Sequence, residues 1–296
     1  MAAPVKHVAV IGLGIMGGAI ARNLIAAGFT VSGFDIDSGR AAAAAASGIG
    51  VRGSAAEAAD AAELVLTSLP SIAALDATVE ALAAKPRPGL IVAEISTFPI
   101  DAKEKARDRL AHAGIITLDC PLSGTGAQAV TRDLALYGSG DEAAFGRARP
   151  VFDGFARANH YLGVFGNGSR MKFVANLLVA VHNVAAAEAI VLGVKSGLDP
   201  ERILEVIGSG AGNSRIFELR GPMTAKGVYT PPTATMHVLQ KDSAIIAEFA
   251  RALGVATPML DAAAPLYDEA DAAGHAEEDV AAVHAVLARR AGLRKK

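Results

Sequence analysis

The sequence predicts an α/β protein of two domains, in which a doubly wound parallel sheet is followed by a long connecting helix and an all-α C-terminal domain. Three observations predict it. From residue 5 to about 160, short β-branched or apolar runs alternate with Ala-rich segments, the alternation of a parallel sheet flanked by helices. After Gly166 no β-rich run follows. Between these stretches, Ser169 to Ser196 reads as one uninterrupted helix, which at 1.5 Å per residue would span about 42 Å and suggests a spine joining domains 1–165 and 166–296.

The strand candidates are Val5 to Ile11, Thr30 to Phe34, Leu64 to Ser68, Leu90 to Ile95, Ile115 to Leu118 and Leu134 to Gly138. The run Ala41 to Ala46 sits where a second helix belongs, and Ala is the strongest helix former. The long helix stops at Gly197, and Asp199-Pro200 restarts a helix with an N-cap carboxylate and a proline at its first position. Further helices are expected near 200–208, 214–226, 234–253, 257–273 and 277–291. The basic ending Arg289 to Lys296 reads as a frayed, solvated terminus.

Composition narrows the function classes. With 28 Lys+Arg against 30 Asp+Glu, the formal charge of −2 leaves no basic excess to hold nucleic acid or anionic lipid. Hydrophobic residues at 52% and charged residues at 20% exclude disorder as the main state. The single cysteine, Cys120, cannot form an internal disulfide, so a cytoplasmic protein is expected, and a Cys between a strand and Pro121 is read as a small buried hydrophobe. The apolar run Val8 to Ile15 is too short to span a membrane. The seven histidines are scattered without metal-ligand spacing, so no metal is expected.

Gly12-Leu13-Gly14-Ile15-Met16-Gly17 directly follows a strand and opens a helix, and Asp35 ends the next strand 23 residues after Gly12. This is the dinucleotide-binding fingerprint of a Rossmann domain, and each part has a task. Gly12 permits the tight turn, Gly14 lets backbone reach the pyrophosphate, Gly17 allows close helix packing, and the helix N-terminus offers N–H groups to the anion. A carboxylate at Asp35 accepts hydrogen bonds from both ribose hydroxyls and would face a 2′-phosphate, and no Arg follows at 36 or 37, so NAD is expected over NADP. Arg40, on the first turn of the next helix, is the one nearby group that could reach a phosphate.

Over nearly its whole length the chain resembles the β-hydroxyacid dehydrogenases, the family of 3-hydroxyisobutyrate dehydrogenase and tartronate semialdehyde reductase. Gly12 to Gly17 with Asn23-Leu24 is similar to its N-terminal signature, and Ser96-Thr97 with Pro99 to its cofactor-side loop. Asp119-Cys120-Pro121-Leu122-Ser123-Gly124 is similar to its substrate loop, and Gly166-Asn167-Gly168, Lys172 and Asn176 to its catalytic stretch. Lys241-Asp242 matches a C-terminal pair. The resemblance implies that Lys172 is catalytic, that Asn176 contacts the substrate, and that Lys241 lies at both cofactor and substrate. It also places Leu69, Pro70 and Thr97 on the cofactor side and implies a homodimer or homotetramer.

Hydride transfer from an alcohol requires that the hydroxyl proton leave, and Lys172 is the candidate to carry it. An ordinary Lys titrates near 10.4 and needs burial or a cationic neighbour to act near neutrality; Lys241 could be that neighbour. Lys172 and Asn176, four residues apart, share a helix face, and Asn183 returns to within about 20° of Lys172, giving a polar stripe on an apolar helix. Ser123-Gly124 offers a hydroxyl and a backbone N–H to a substrate carboxylate. The family usually has glycines where this chain has Thr125 and Arg132, so Thr125 would narrow the pocket or add polarity to it. Asn213, Ser214 and Arg215 could add a substrate contact.

The reading is an oxidoreductase acting on a small 3-hydroxy acid, or on its semialdehyde or keto form. An imine reductase shares this architecture but usually replaces the Lys with Asp or Tyr. A catalytically inactive cofactor-binding scaffold would lack it. A decarboxylating 6-phosphogluconate-type enzyme would need a much longer helical domain than about 130 residues.

Overall fold

In the computed structural model, which describes residues 4–293, the chain divides into two compact units between Lys172 and Phe173. The strands are β1 His7–Ile11, β2 Thr30–Phe34, β3 Gly50–Val51, β4 Leu64–Thr67, β5 Ile91–Glu94, β6 Ile116–Asp119, β7 Leu122–Ser123, β8 Ala135–Gly138 and β9 Ala158–Tyr161. The first unit's helices are α1 Ile15–Ala26, α2 Ser38–Ala46, α3 Ala55–Ala59, α4 Ile72–Ala83, α5 Ile100–His112, α6 Gly126–Val130 and α7 Glu142–Asp153. Helix α8, Asn167–Lys195, runs across the division. The second unit continues with α9 Pro200–Gly208, α10 Arg215–Lys226, α11 Met236–Ala252, α12 Pro258–Ala270 and α13 Val283–Arg290.

Six strands form one parallel sheet in the order β3-β2-β1-β4-β5-β6. Strands buried on both faces need apolar residues at every position, which is why β4 shows no alternation and is buried throughout. Successive residues of β1 serve opposite cores: Val8 and Val10 pack with Ile20, Leu24 and Leu66, while Ala9 and Ile11 pack with Val65, Leu75 and Val92. Strand order reverses between β1 and β4, the switch point at which α/β sheets open a crevice beyond their carboxyl ends.

Two expectations about this unit are corrected. The sheet's sixth strand is β3, whose two residues are too few to show a period, and the run expected as a sixth parallel strand lies in a second sheet of order β7-β8-β9. There β8 pairs antiparallel with β7 and parallel with β9. Strand β9, Ala-Asn-His-Tyr, is half-exposed and polar, so hydrophobicity does not reveal it.

The second unit is helical, as expected. Ala186 and Ile190 of α8 pack on Ile203 and Phe217, and Asn183 donates to the Tyr267 hydroxyl (3.1 Å) and the Val280 carbonyl (2.9 Å). Alone, α8 is long and apolar enough to cross a bilayer, but these contacts make it a core helix. The Asp199 side chain caps α9 by accepting from Glu201 N and Arg202 N, with Pro200 as its first residue. Helix 257–273 is shorter than expected because it passes into a π turn, Asp271–His275. The helix expected from 277 begins at Val283, after Asp279 caps a 3₁₀ turn over Val280–Ala282. The frayed tail is corrected in part: Arg289 and Arg290 are helical and both pair with Glu269, while Arg294–Lys296 lie outside the described residues.

Candidate active site

The glycine loop sits at the switch point, at the carboxyl end of β1. Gly12 has φ of +89°, and a side chain there would meet the Ser68 carbonyl, while one at Gly17 would meet the carbonyl of Gly12. Gly14 differs, because the nearest atom to a side chain placed there would be the Arg40 guanidinium at 3.9 Å. Gly14 is also the N-cap of α1 and supplies no side-chain cap, so the first N–H groups of the helix face this space unsatisfied by any side chain. Open room beside uncapped helical N–H groups fits a pyrophosphate.

Around this loop the neighbouring strand ends converge. Asp35, just past β2, accepts from Leu13 N at 2.7 Å and from Asp37 N at 2.9 Å, so its carboxylate also braces the glycine loop, a role the sequence does not reveal. Leu69, after β4, donates its N–H to the Ser96 hydroxyl (2.8 Å), and Ser96 N donates to Glu94 (2.8 Å), which ties together the loops carrying Leu69, Pro70 and Thr97. Pro70 is exposed, and Leu69 and Thr97 are half-buried. Leu13 is buried, whereas Ile15 and Ile36 stand 80% and 89% exposed at the loop's edge.

The loop Ser123–Thr125 lies beside the same glycines. A side chain at Gly126 would strike Ile15, and Asn23 of α1 donates to the Ala129 carbonyl of α6 at 2.7 Å. Ser123 pairs through its backbone with Ala135, and among the described residues no protein group bonds its hydroxyl. Gly124 has φ of +137°, with Leu134 where a side chain would go. Thr125 and Arg132 now have physical accounts. Thr125 is the N-cap of α6 in a capping box with Gln128, which orients its hydroxyl toward Gln128 N and not into open space. Arg132 has φ of +60°, the left-handed region that favours glycine.

Lys172 is the sixth residue of α8 and is buried. Its helix start is fixed by residues that sequence reasoning missed. Asp119, at the end of β6, accepts from Ser169 N (2.8 Å), Ser169 Oγ (2.8 Å), Ser139 Oγ (3.3 Å) and Lys103 Nζ (2.9 Å). Lys103 also meets Glu94 at 2.6 Å and donates to the Ser96 carbonyl at 2.7 Å. All three charged side chains are essentially fully buried. Burial pushes the Glu94 carboxyl up, against the opposing pull of Lys103. The Lys103 ammonium, which burial alone would weaken, is held well above the usual lysine range by Asp119 and Glu94. Cys120 is buried next to this cluster and its thiol is pushed up by burial, consistent with a packed, unreactive side chain.

In the second unit, Asn176 donates to Asp242 Oδ2 at 2.7 Å, and Lys241 Nζ lies 3.3 Å from Asp242 Oδ1. Asp242 therefore orients both expected site residues of that unit, a role not read from sequence. The third member of the expected stripe, Asn183, is corrected: both hydrogens of its amide are spent on Tyr267 and Val280. Residues 213–215 are bonded locally. Ser214 caps α10, and Asn213 and Arg215 both bond Glu218.

The chain is similar to known proteins over nearly its whole length. A family model described as the NAD binding domain of 6-phosphogluconate dehydrogenase matches residues 7–165, and one described as NAD-binding of NADP-dependent 3-hydroxyisobutyrate dehydrogenase matches 166–287. The L-threonate dehydrogenase of Cupriavidus necator is 35% identical over 94% of this chain and 95% of its own. The structure of Mycobacterium tuberculosis 3-hydroxyisobutyrate dehydrogenase with L-serine is similar at 32% identity and a TM-score of 0.86, covering 95% of this chain and 99% of its own. A Streptomyces aurantiacus imine reductase, at 20% identity, TM-score 0.64 and 95% and 99% coverage, shares the fold alone.

Proposed function

The chain belongs to the β-hydroxyacid dehydrogenase family, and from that premise we propose that Lys172 exchanges the proton in a hydride transfer between a nicotinamide cofactor and a small 3-hydroxy acid. Residues 1–165 serve as the cofactor domain and 166–296 as a helical domain for substrate. One observation carries the reading: Lys172 is a buried lysine one turn beyond a helix start that Asp119 anchors.

A bound nicotinamide dinucleotide supplies the hydride acceptor in oxidation and the donor in reduction. The N–H groups at the start of α1 would hold its pyrophosphate, and Asp35 would accept from the adenosine ribose. Ser123 and Gly124 receive the substrate carboxylate, Thr125 shapes their loop, and Asn176 and Lys241 hold the remaining polar groups of the substrate and cofactor. On oxidation the substrate hydroxyl loses its proton to the Lys172 amine as its carbon gives up hydride; reduction returns the proton from the ammonium. NAD is the preferred cofactor on the strength of Asp35, with the Arg40 guanidinium beside Gly14 as the opposing feature.

The enzyme works as a soluble, cytoplasmic homodimer or homotetramer. Support for self-association comes from α8, where Met171, Val174, Leu178 and Leu192 are all exposed on a core helix.

Initial rates across 3-hydroxyisobutyrate, glycerate, threonate and serine analogues with NAD⁺ and NADP⁺ test this reading, alongside Lys172→Ala. The variant is expected to lose about 10²- to 10⁴-fold in kcat with cofactor affinity nearly unchanged. A variant keeping more than a tenth of wild-type kcat would show that another group carries the proton, and a wild type favouring NADP⁺ would reverse the role given to Asp35.

A further inference from the structure

The buried charges beneath the start of α8 are more than cohesion requires. Glu94 and Asp119 share a single cation, Lys103, so with both carboxylates ionised the cluster carries one more negative than positive charge. Replacing such a cluster by apolar residues often leaves stability unchanged or improved, so a buried cluster of this kind calls for another account. Its surroundings supply one. The excess charge lies against the positive end of α8, whose Ser169 N–H and hydroxyl both point at Asp119. Gly168 makes the approach possible: a side chain there would come within 2.3 Å of the Tyr137 carbonyl and 2.7 Å of the Asp119 carbonyl, and its N–H donates to Ser139 Oγ at 2.9 Å. Three hydrogen bonds, two to Asp119 at the end of β6 and one to Ser139 just past β8, thus fix both the axial position and the rotation of the first helical turn. Ser169 lies three residues before Lys172, so whatever fixes Ser169 fixes the stem of Lys172.

We propose that Asp119, held by the Lys103–Glu94 pair, is a positioning residue that sets the location of the Lys172 amine through Ser169. The proposal rests on the reading of Lys172 as proton carrier. Misplacing a reacting group by about 1 Å can cost about 10²-fold in rate, which is the scale on which such an anchor acts.

The test is a double-mutant cycle with Ser169→Ala and Lys172→Ala, joined by hydrogen–deuterium exchange of the cofactor-free protein. Ser169→Ala leaves the charge cluster and the Ser169 N–H bond in place, so the variant folds even if Asp119→Asn does not. In the wild-type background Ser169→Ala is expected to lower kcat about tenfold with KM for NAD⁺ unchanged. In the Lys172→Ala background it is expected to cost less than twofold, because no amine remains to misplace. Amides at the start of α8 should exchange about tenfold faster in Ser169→Ala, with those of β1 and α1 unaltered. An equal cost in both backgrounds, or unaltered exchange at the helix start, would overturn the proposal while leaving Lys172 as proton carrier. A Lys172→Ala variant that retained more than a tenth of kcat would overturn that assignment and the proposal together.

Discussion

Asp119 in the first unit and Asp279 in the second are both fully buried, and each accepts hydrogen bonds from a basic side chain, a hydroxyl and backbone. Asp279 is closed: Arg220 Nε at 3.1 Å balances its charge, and Thr233 N, Thr233 Oγ1, Ala234 N and Ala281 N complete its oxygens. Burial would raise its carboxyl, but Arg220 and these donors hold it below the usual carboxylate range. Asp119 has the opposite balance, because it shares its one cation with Glu94 and turns to a helix terminus for the rest. A one-to-one pair that pins a loop to a helix is what stability alone asks for. An unbalanced cluster aimed at the helix that carries Lys172 costs more and orients something.

The largest expected effect breaks the closed pair. Asp279→Ala strands the buried Arg220 guanidinium and should destabilise the protein by about 3–5 kcal/mol in denaturant unfolding. Turnover per folded site should survive. If kcat fell while the unfolding midpoint held, the two aspartates would share one role and the contrast would fail.

Acid should separate the units next. His284, whose pKa burial pushes below 6.5, shares a hydrogen bond between its Nδ1 and the Tyr229 hydroxyl (2.8 Å). A depressed folded pKa means that its contribution is present above about pH 6.5 and is lost as the pH falls through the folded value. Asp279 adds a second loss below about pH 3.8, again because its folded pKa lies under the unfolded one. Glu94 has the reverse sign: its raised pKa makes the folded first unit take up protons sooner, so that unit gains stability as pH falls through the folded value toward 4.5. Because burial also pushes His7 of the first unit below 6.5, both units should weaken as the pH falls below about 6.5, and their unfolding midpoints, followed with a probe in each unit, should diverge where Glu94 and Asp279 titrate with opposite sign. His284→Gln should abolish the second unit's step starting near pH 6.5, and parallel curves for the two units would count against the assignment.

The smallest effect concerns Thr125. Glycine is a tolerated N-cap, so Thr125→Gly should cost only a few tenths of a kcal/mol while altering the order of preference among hydroxy acids. An unchanged ranking would confine Thr125 to its capping role.

The parts of the site legible in sequence are those whose reasons are local. Gly12 to Gly17 follow a strand and open a helix within a few residues, Lys172 and Asn176 are one turn apart, and Asp199-Pro200 announces its own helix. Periodicity and capping are properties of neighbours, and neighbours are what a sequence displays. Asn183 shows the limit: its helical phase relative to Lys172 was right, yet its partners, 84 and 97 residues away, made it a structural bond and not a site residue.

By itself, then, the sequence determined a dinucleotide-binding sheet, a helical second half and a lysine with chemistry to perform, because hydrophobic period, glycine spacing and caps act over one or two turns. Only tertiary structure decided that Asp119 grips Ser169 from 50 residues away, that Lys103 bridges two carboxylates, and that Asp242 orients Asn176 across 66 residues. A buried polar side chain is useful only when its partner arrives from elsewhere in the fold, and no local pattern records which partner that will be.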